Sequence, residues 1–188
     1  CHADQVVVEI EGNAQALLTA ERTALNFLQL LSAVATKTAS FVSAVESVPG
    51  NRAAIVDTRK TLPGLRMAQK YAVHQGGGTN HRIGLFDAVL IKENHIAAAG
   101  GVTAALQRAG QLAASAKFIE VEVETLDQLR EALDCGAKMV LLDNMSMAQL
   151  VQAVAINAGR AILEVSGGVN MDTAVSYTHL TLPTSDLV

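Results

Sequence analysis

The 188-residue chain has no tryptophan, two tyrosines and four phenylalanines, so aromatic residues make up only 3% of it. Half of the residues are apolar nonetheless, and alanine is abundant, which suits close packing of helices on a sheet better than an aromatic-rich β-sandwich. Two cysteines, Cys1 and Cys135, make no disulfide framework, and no Cys/His spacing resembles a zinc site. A reducing, cytoplasmic setting is the default expectation. No apolar run approaches the length that spans a bilayer, so no membrane partner is expected. The opening residues, Cys1-His2-Ala3-Asp4, lack a start methionine and the basic and apolar regions of a signal peptide. The expectation is that the natural N-terminus lies upstream.

Positive charge is scarce overall, and the formal net charge of −4 argues against general nucleic-acid affinity. That average hides an asymmetry. Residues 51–95 hold seven of the fourteen Lys/Arg (Arg52, Arg59, Lys60, Arg66, Lys70, Arg82, Lys92) and three of the eighteen acids (Asp57, Asp87, Glu93). The segment is therefore +4 and the remainder −8. A pocket for a small polyanion and a solvated basic face both fit this distribution.

Val6–Ile10 is a short β-rich run, and the stretch from Thr19 to Val45 carries a helical stripe of Leu25, Leu28, Leu31, Val34 and Ala35. After the turn signal Pro49-Gly50-Asn51, apolar strand candidates recur at Ala53–Val56, Phe86–Ile91, Phe118–Val123, Met139–Leu142 and Ala161–Val165. Helical stretches at about 102–114, 125–135 and 146–158 separate several of them, with Thr125 to Gln128 as a start signal and Gly136 as a stop. Such alternation predicts a parallel sheet covered by helices. A (β/α) barrel is favoured over an open doubly wound sheet, because no glycine-rich dinucleotide fingerprint opens the first turn.

Each strand candidate releases polar residues at its C-terminal end, where active sites assemble in such folds. Arg59, Lys60, Lys92, Asp143 and Ser166-Gly167-Gly168 are thereby given a common mouth. In the third candidate, Glu120, Glu122 and Glu124 alternate with valines and so share one face. A covered parallel strand must turn such a face inward, where carboxylates need cations, donors or metal. Gly76-Gly77-Gly78 reads as loop geometry rather than a phosphate cradle, since no helix clearly follows it. His74 reads as helix surface or packing, and His95 has only its closeness to Lys92 to recommend it.

Seven ordered stretches resemble the quinolinate phosphoribosyltransferase family. They are Leu18–Asn26, Asp57–Gly64 (DTRKTLPG), Gly76–Arg82 (GGGTNHR), Leu90–His95 (LIKENH), Glu120–Glu124 (EVEVE), Leu141–Asn144 (LLDN) and Ser166-Gly167-Gly168. The resemblance implies an incomplete (β/α) barrel catalytic domain over residues 49–173, preceded in 1–48 by the C-terminal part of an N-terminal α/β domain. It stops after Thr173, so residues 174–188 are expected to be a non-native tail.

The reaction implied joins quinolinate and phosphoribosyl pyrophosphate, with Mg²⁺, to give nicotinate mononucleotide, pyrophosphate and carbon dioxide. By the same resemblance Arg59, His81 and Arg82 line the dicarboxylate site, with Lys60 and Lys92 nearby, and Thr58 is a further substrate-binding residue. Glu122 and Asp143 lie on the ribose and Mg²⁺ side, and Ser166, Gly167 and Gly168 meet a phosphate. Lys60, Lys92, Glu122 and Asp143 are the implied catalytic set. Arg22 would reach into a neighbouring subunit's site, which implies a homodimer. A paralogue on the same scaffold acting on another acidic ring compound or in molybdate metabolism, and a non-catalytic remnant, are the rival readings.

Overall fold

The computed structural model describes residues 1–112 and 115–178. A 33-residue helix, α1 (Ala14–Glu46), comes first, and α2 (Arg66–Gln75) packs against it. Alternation follows: β1 (Val89–Ile91), α3 (Glu93–Ala99), α4 (Val102–Leu112), β2 (Ile119–Val123), α5 (Leu126–Asp134), β3 (Met139–Asp143), α6 (Met147–Asn157), β4 (Ile162–Ser166) and α7 (Met171–Thr178). The four strands form one parallel sheet in the order β1-β2-β3-β4. The expected α/β class, a parallel sheet with covering helices, is therefore present.

Local chemistry explains where several helices start. The Asn13 side chain accepts from the Ala16 N–H at 3.1 Å and caps α1. Thr125 and Gln128 form a reciprocal capping box at the start of α5, and Ser146 and Gln149 another at the start of α6. Val121, Val123, Val140 and Leu142 are fully buried and meet Leu129, Ala132, Leu150 and Ala153 of α5 and α6 to form the core. Burying a side chain of this size stabilises by about 1.5–3 kcal/mol.

Four expectations change. Val6–Ile10 forms no strand; its Val6, Val7, Val8 and Ile10 stay exposed with no partner strand among the described residues. Ala53–Val56 reduces to one parallel bridge, between Val56 and Thr79, because only the residue following the triple glycine pairs with it. Among the described residues the sheet is thus four-stranded and open. Helices α3 and α7 arise where no helix is predicted, while α2 is the helix implied by the reading of His74; α7 takes in residues 174–178 of the segment set apart as a tail, with Ala174 and Thr178 buried. The remainder of that segment lies outside the described residues.

The fourth change concerns α1, which by length and composition alone is apolar enough to cross a membrane. No unbroken apolar run reveals this, because Thr, Ser and Gln interrupt a high average hydropathy. Its C-terminal half is docked on α2 and α7, with Val45 only 3% exposed. Gly76 and Gly78 make that docking possible: a Cβ on Gly76 would stand 2.4 Å from the Ala35 carbonyl oxygen, and one on Gly78 would stand 2.8 Å from Thr38 Cγ2. The triple glycine serves close packing, in line with its reading as loop geometry.

Candidate functional site

Register decides which side chains share a face. Glu122, Leu141 and Glu164 stand in one row across β2, β3 and β4; Asp143 and Ser166 stand in the next row toward the strand ends. Glu120 is two residues before Glu122, so it points the same way. This face is opposite the one that Val121, Val123, Val140 and Leu142 bury against the helices. The acidic face expected of β2 is real and graded. Glu120 is fully buried, the Glu122 side chain is 11% exposed, and Glu124, just past the strand, is exposed.

At the base of this face lies His81. Its Nε2 is 3.1 Å from Glu120 Oε2 and 3.4 Å from Glu164 Oε2. Neither approach is aligned as a hydrogen bond, and both Glu120 oxygens lack a hydrogen-bond partner among the described residues. Phe118 meets the imidazole edge-on, with ring centroids 5.0 Å apart. The Glu120 carboxylate raises the His81 pKa, against burial and with help from Glu164. Burial, reinforced by the negative charge of Glu120, pushes Glu164 up to about 7. Arg82 is buried close by; burial and the neighbouring Arg59 lower its pKa, while Glu120 and Asp87 oppose them.

A second buried assembly holds the His81 backbone. Lys70, in α2, pairs with Asp57 and donates to the His81 carbonyl at 3.0 Å. Asp57 accepts from the His81 N–H at 2.9 Å and from Asn80 Nδ2 at 2.7 Å. The segment carrying His81 and Arg82 is therefore tied to Asp57, just after the Val56 bridge, by a satisfied network. Asp57, Thr58, Lys60 and Lys70 also line a cavity of about 220 Å³ with Val34, Thr61, Gln69 and Val73. A larger groove of about 390 Å³ beside β1, lined mainly by Leu85, Phe86 and alanines with His95 and Arg108 among them, is mostly apolar.

At the strand ends, Lys92 Nζ lies 3.1 Å from Glu122 Oε2. Asp143 Oδ2 accepts from Asn144 Nδ2 at 2.7 Å, and the Asn144 N–H donates to the Ser166 carbonyl at 3.0 Å. Gly167 and Gly168 both take positive φ, 89° and 65°, which glycine adopts without strain. Thr58 Oγ1 accepts from the Lys60 N–H at 3.0 Å, shaping the turn that presents both residues. Arg59 Nε is buried without a hydrogen-bond partner among the described residues.

The structure thus gathers His81 and Arg82, with Arg59 beside them, and separately joins Lys92 to Glu122 and links Asp143 to the Ser166-Gly167 turn. Arg22 stands apart, exposed on the N-terminal half of α1. His95 has a structural task, its Nδ1 accepting the Lys92 N–H at 2.9 Å at the start of α3. Sequence reasoning missed Glu164, Asp57, Lys70 and Asn80, and it noted Glu120 without assigning it a role. An available signal was Glu164 itself, a charge in the middle of an otherwise apolar strand.

Fold and site together define a parallel α/β domain with a charged mouth at its strand ends, the usual place for a substrate in such a sheet. A family model described as the quinolinate phosphoribosyl transferase C-terminal domain matches residues 34–183, and one for the N-terminal domain matches residues 1–32. The chain belongs to the quinolinate phosphoribosyltransferase family. It is 43% identical over 176 residues to a probable nicotinate-nucleotide pyrophosphorylase [carboxylating] of Bacillus subtilis, covering 94% of this chain and 60% of the relative. It is 48% identical to the Mycobacterium leprae nicotinate-nucleotide pyrophosphorylase [carboxylating], over 92% of this chain and 61% of that one. The solved nicotinate-nucleotide pyrophosphorylase of Francisella tularensis superimposes with a TM-score of 0.84 at 48% identity, over 90% of this chain and 59% of that one. The chain thus spans about three fifths of the length of these relatives. The two family models meet inside α1, whereas the sequence-based division falls beyond its end, at residues 48 and 49.

Proposed function

We propose that the protein to which this chain belongs is a pentosyltransferase of NAD biosynthesis. It moves the phosphoribosyl group of phosphoribosyl pyrophosphate to the ring nitrogen of quinolinate and releases pyrophosphate and carbon dioxide, leaving nicotinate mononucleotide. One observation carries the reading beyond kinship: the guanidiniums of Arg59 and Arg82 and the imidazole of His81 converge beside the acids Glu120 and Glu164. A planar dicarboxylate suits paired guanidiniums, which bind carboxylates bidentately. Positive charge developing at the ribose suits the carboxylates of Glu122 and Asp143.

Chemically, Arg59, Arg82 and His81 orient the ring acid, with Thr58 shaping the turn beside them. Lys60 and Lys92 neutralise phosphate oxygens, and the backbone N–H groups of Ser166, Gly167 and Gly168 approach a phosphate closely. Glu122 and Asp143 would hold Mg²⁺. They fit, because Glu122 Oε1 and Asp143 Oδ1 are hard oxygens that no hydrogen bond or ion pair among the described residues occupies. Bound there, the ion supplies charge neutralisation for the departing pyrophosphate. Nitrogen attack makes a pyridinium; the adjacent carboxylate then leaves as carbon dioxide, its bonding pair stays on the ring carbon beside the positive nitrogen, and a proton from water completes nicotinate mononucleotide.

The same reading includes a closed (β/α) barrel in the full-length protein, a cytoplasmic location and a homodimer. Leu18, Leu25, Phe27 and Leu28 lie exposed around Arg22 on α1, an apolar surface that a second copy would cover while receiving Arg22. The deciding experiment is an assay of the full-length protein for nicotinate mononucleotide from quinolinate and phosphoribosyl pyrophosphate. Product formation supports the proposal; turnover of a different acid, or no ligand binding at all, overturns it. Arg59→Ala should raise the quinolinate KM by roughly tenfold or more.

A further inference from the structure

The cluster His81, Glu120 and Glu164 has no task in the mechanism above beyond the imidazole itself. Its three ligating atoms lie within 4.8 Å of one another, a spacing that a metal ion could also use. The surroundings oppose a dication. Arg82 is buried within electrostatic reach of both His81 and Glu120, and Arg59 acts on Arg82 in turn. What the cluster lacks is not a metal but a cation in direct contact with Glu120, which is fully buried with neither oxygen hydrogen-bonded among the described residues.

His81 answers that need. One nitrogen, Nε2, faces both carboxylates, at 3.1 Å and 3.4 Å, while Nδ1 has no hydrogen-bond partner among the described residues. Phe118 fixes the plane of the ring from its edge, and Lys70 and Asp57 hold its backbone from the other side. An imidazole gripped in this way at one nitrogen presents the other outward. Protonated at both, it is held by charge at Nε2 and has Nδ1–H free to donate.

We propose that Glu120 and Glu164 are positioning residues, which hold the imidazolium of His81 by Nε2 so that Nδ1–H donates to a carboxylate of the ring acid. The assignment rests on the proposed function for the identity of that acid. It explains why two carboxylates are kept in a buried place where phosphate chemistry needs none. The other charged groups facing the cluster are Asp57, which acts on Glu164, and Arg82, which acts on His81. The raised pKa of His81 agrees with this arrangement.

Glu120→Gln and Glu164→Gln in the full-length protein are the test, with Glu120→Asp as the conservative control. Each Gln variant should raise the quinolinate KM by about tenfold, leave the phosphoribosyl pyrophosphate KM within about twofold and change kcat by less than about threefold. Glu120→Asp should recover most of the loss. Nitrogen-15 NMR of the His81 ring should show an imidazolium in the parent and a neutral ring in Glu120→Gln. An unchanged quinolinate KM, or an equal loss in both KM values and kcat, overturns the assignment. So does tight binding of Mn²⁺ or Zn²⁺ that Glu120→Gln abolishes, which would make the cluster a cation site. If the parent does not turn over quinolinate, the functional reading fails. The NMR comparison still decides the grip on His81: a neutral ring in the parent, or an imidazolium that survives Glu120→Gln, overturns it. Should Glu120→Gln not fold, Glu164→Gln carries the same readouts.

Discussion

A Cβ added to Gly167 would lie 2.0 Å from Asn144 Oδ1, so the turn after β4 can close over the end of β3 only with glycine there. Both partners are held in the left-handed region, Gly167 at φ 89° and Asn144 at φ 52°. The contact links the loop expected to meet a phosphate with the residue that orients Asp143.

Gly167→Ala should therefore act in two ways. The added methyl displaces Asn144, and the positive φ costs about 1–3 kcal/mol for a residue with a side chain. Urea denaturation of the full-length protein should register the loss of stability. The phosphoribosyl pyrophosphate KM should rise while the quinolinate KM holds.

How much of this was legible beforehand differs by element. The capping boxes at Thr125 and Ser146 are local, so α5 and α6 could be read to within a residue or two. The strand-end pattern was legible too, because a parallel strand buried on both faces must release its charges where it leaves the sheet. Ala53–Val56 misled because pairing is non-local: the run has the composition of a strand but only Thr79 to bond with. The pair Asp57 and Lys70 stayed hidden for the same reason, thirteen residues apart and joined only by the packing of α2. Glu164 received no reading, because its meaning lies in a row of the sheet that the chain alone does not display.

The pair Asp57 and Lys70 is nearly inaccessible, with side chains 6% and 3% exposed. Removing one member of such a pair strands a buried charge and costs about 3–5 kcal/mol. Lys70→Met alone should thus be severely destabilising. Lys70→Met with Asp57→Asn should lose less than the sum of the two single changes. Strict additivity in a denaturant-based double-mutant cycle would show that the two residues do not act as a unit.

Lys92 and Glu122 make the opposite case. The Lys92 side chain is 45% exposed, so its ion pair with Glu122 is screened and contributes no more than about 1 kcal/mol to stability. Lys92→Ala and Glu122→Gln should leave the unfolding midpoint almost unmoved. Turnover should nonetheless fall by about a hundredfold or more in each, since charged groups aimed at developing charge are worth that much in kcat. Normal turnover in either variant would remove that residue from the catalytic set.

Asp87 provides a pH test whose sign can be worked out. Its carboxylate accepts from the Ile83 N–H at 2.9 Å and the Gly84 N–H at 2.8 Å, and Lys117 stands 3.7 Å away. The Ile83 hydrogen bond is the largest influence; burial opposes it, but the pKa is lowered overall. A group whose folded pKa is depressed binds its proton more readily when the chain is unfolded, where Asp titrates near about 3.9. Its stabilisation is therefore complete above that value and drains away as the pH falls through the lower, folded one. Asp87→Asn should be less stable than the parent at neutral pH, and the difference should shrink as the solution is acidified below about pH 4. Thermal unfolding midpoints of the two proteins measured across that range check it. A gap that stays constant down to about pH 2 would mean that the loop from Ile83 to Asp87 is held by the shape of the side chain rather than by its charge.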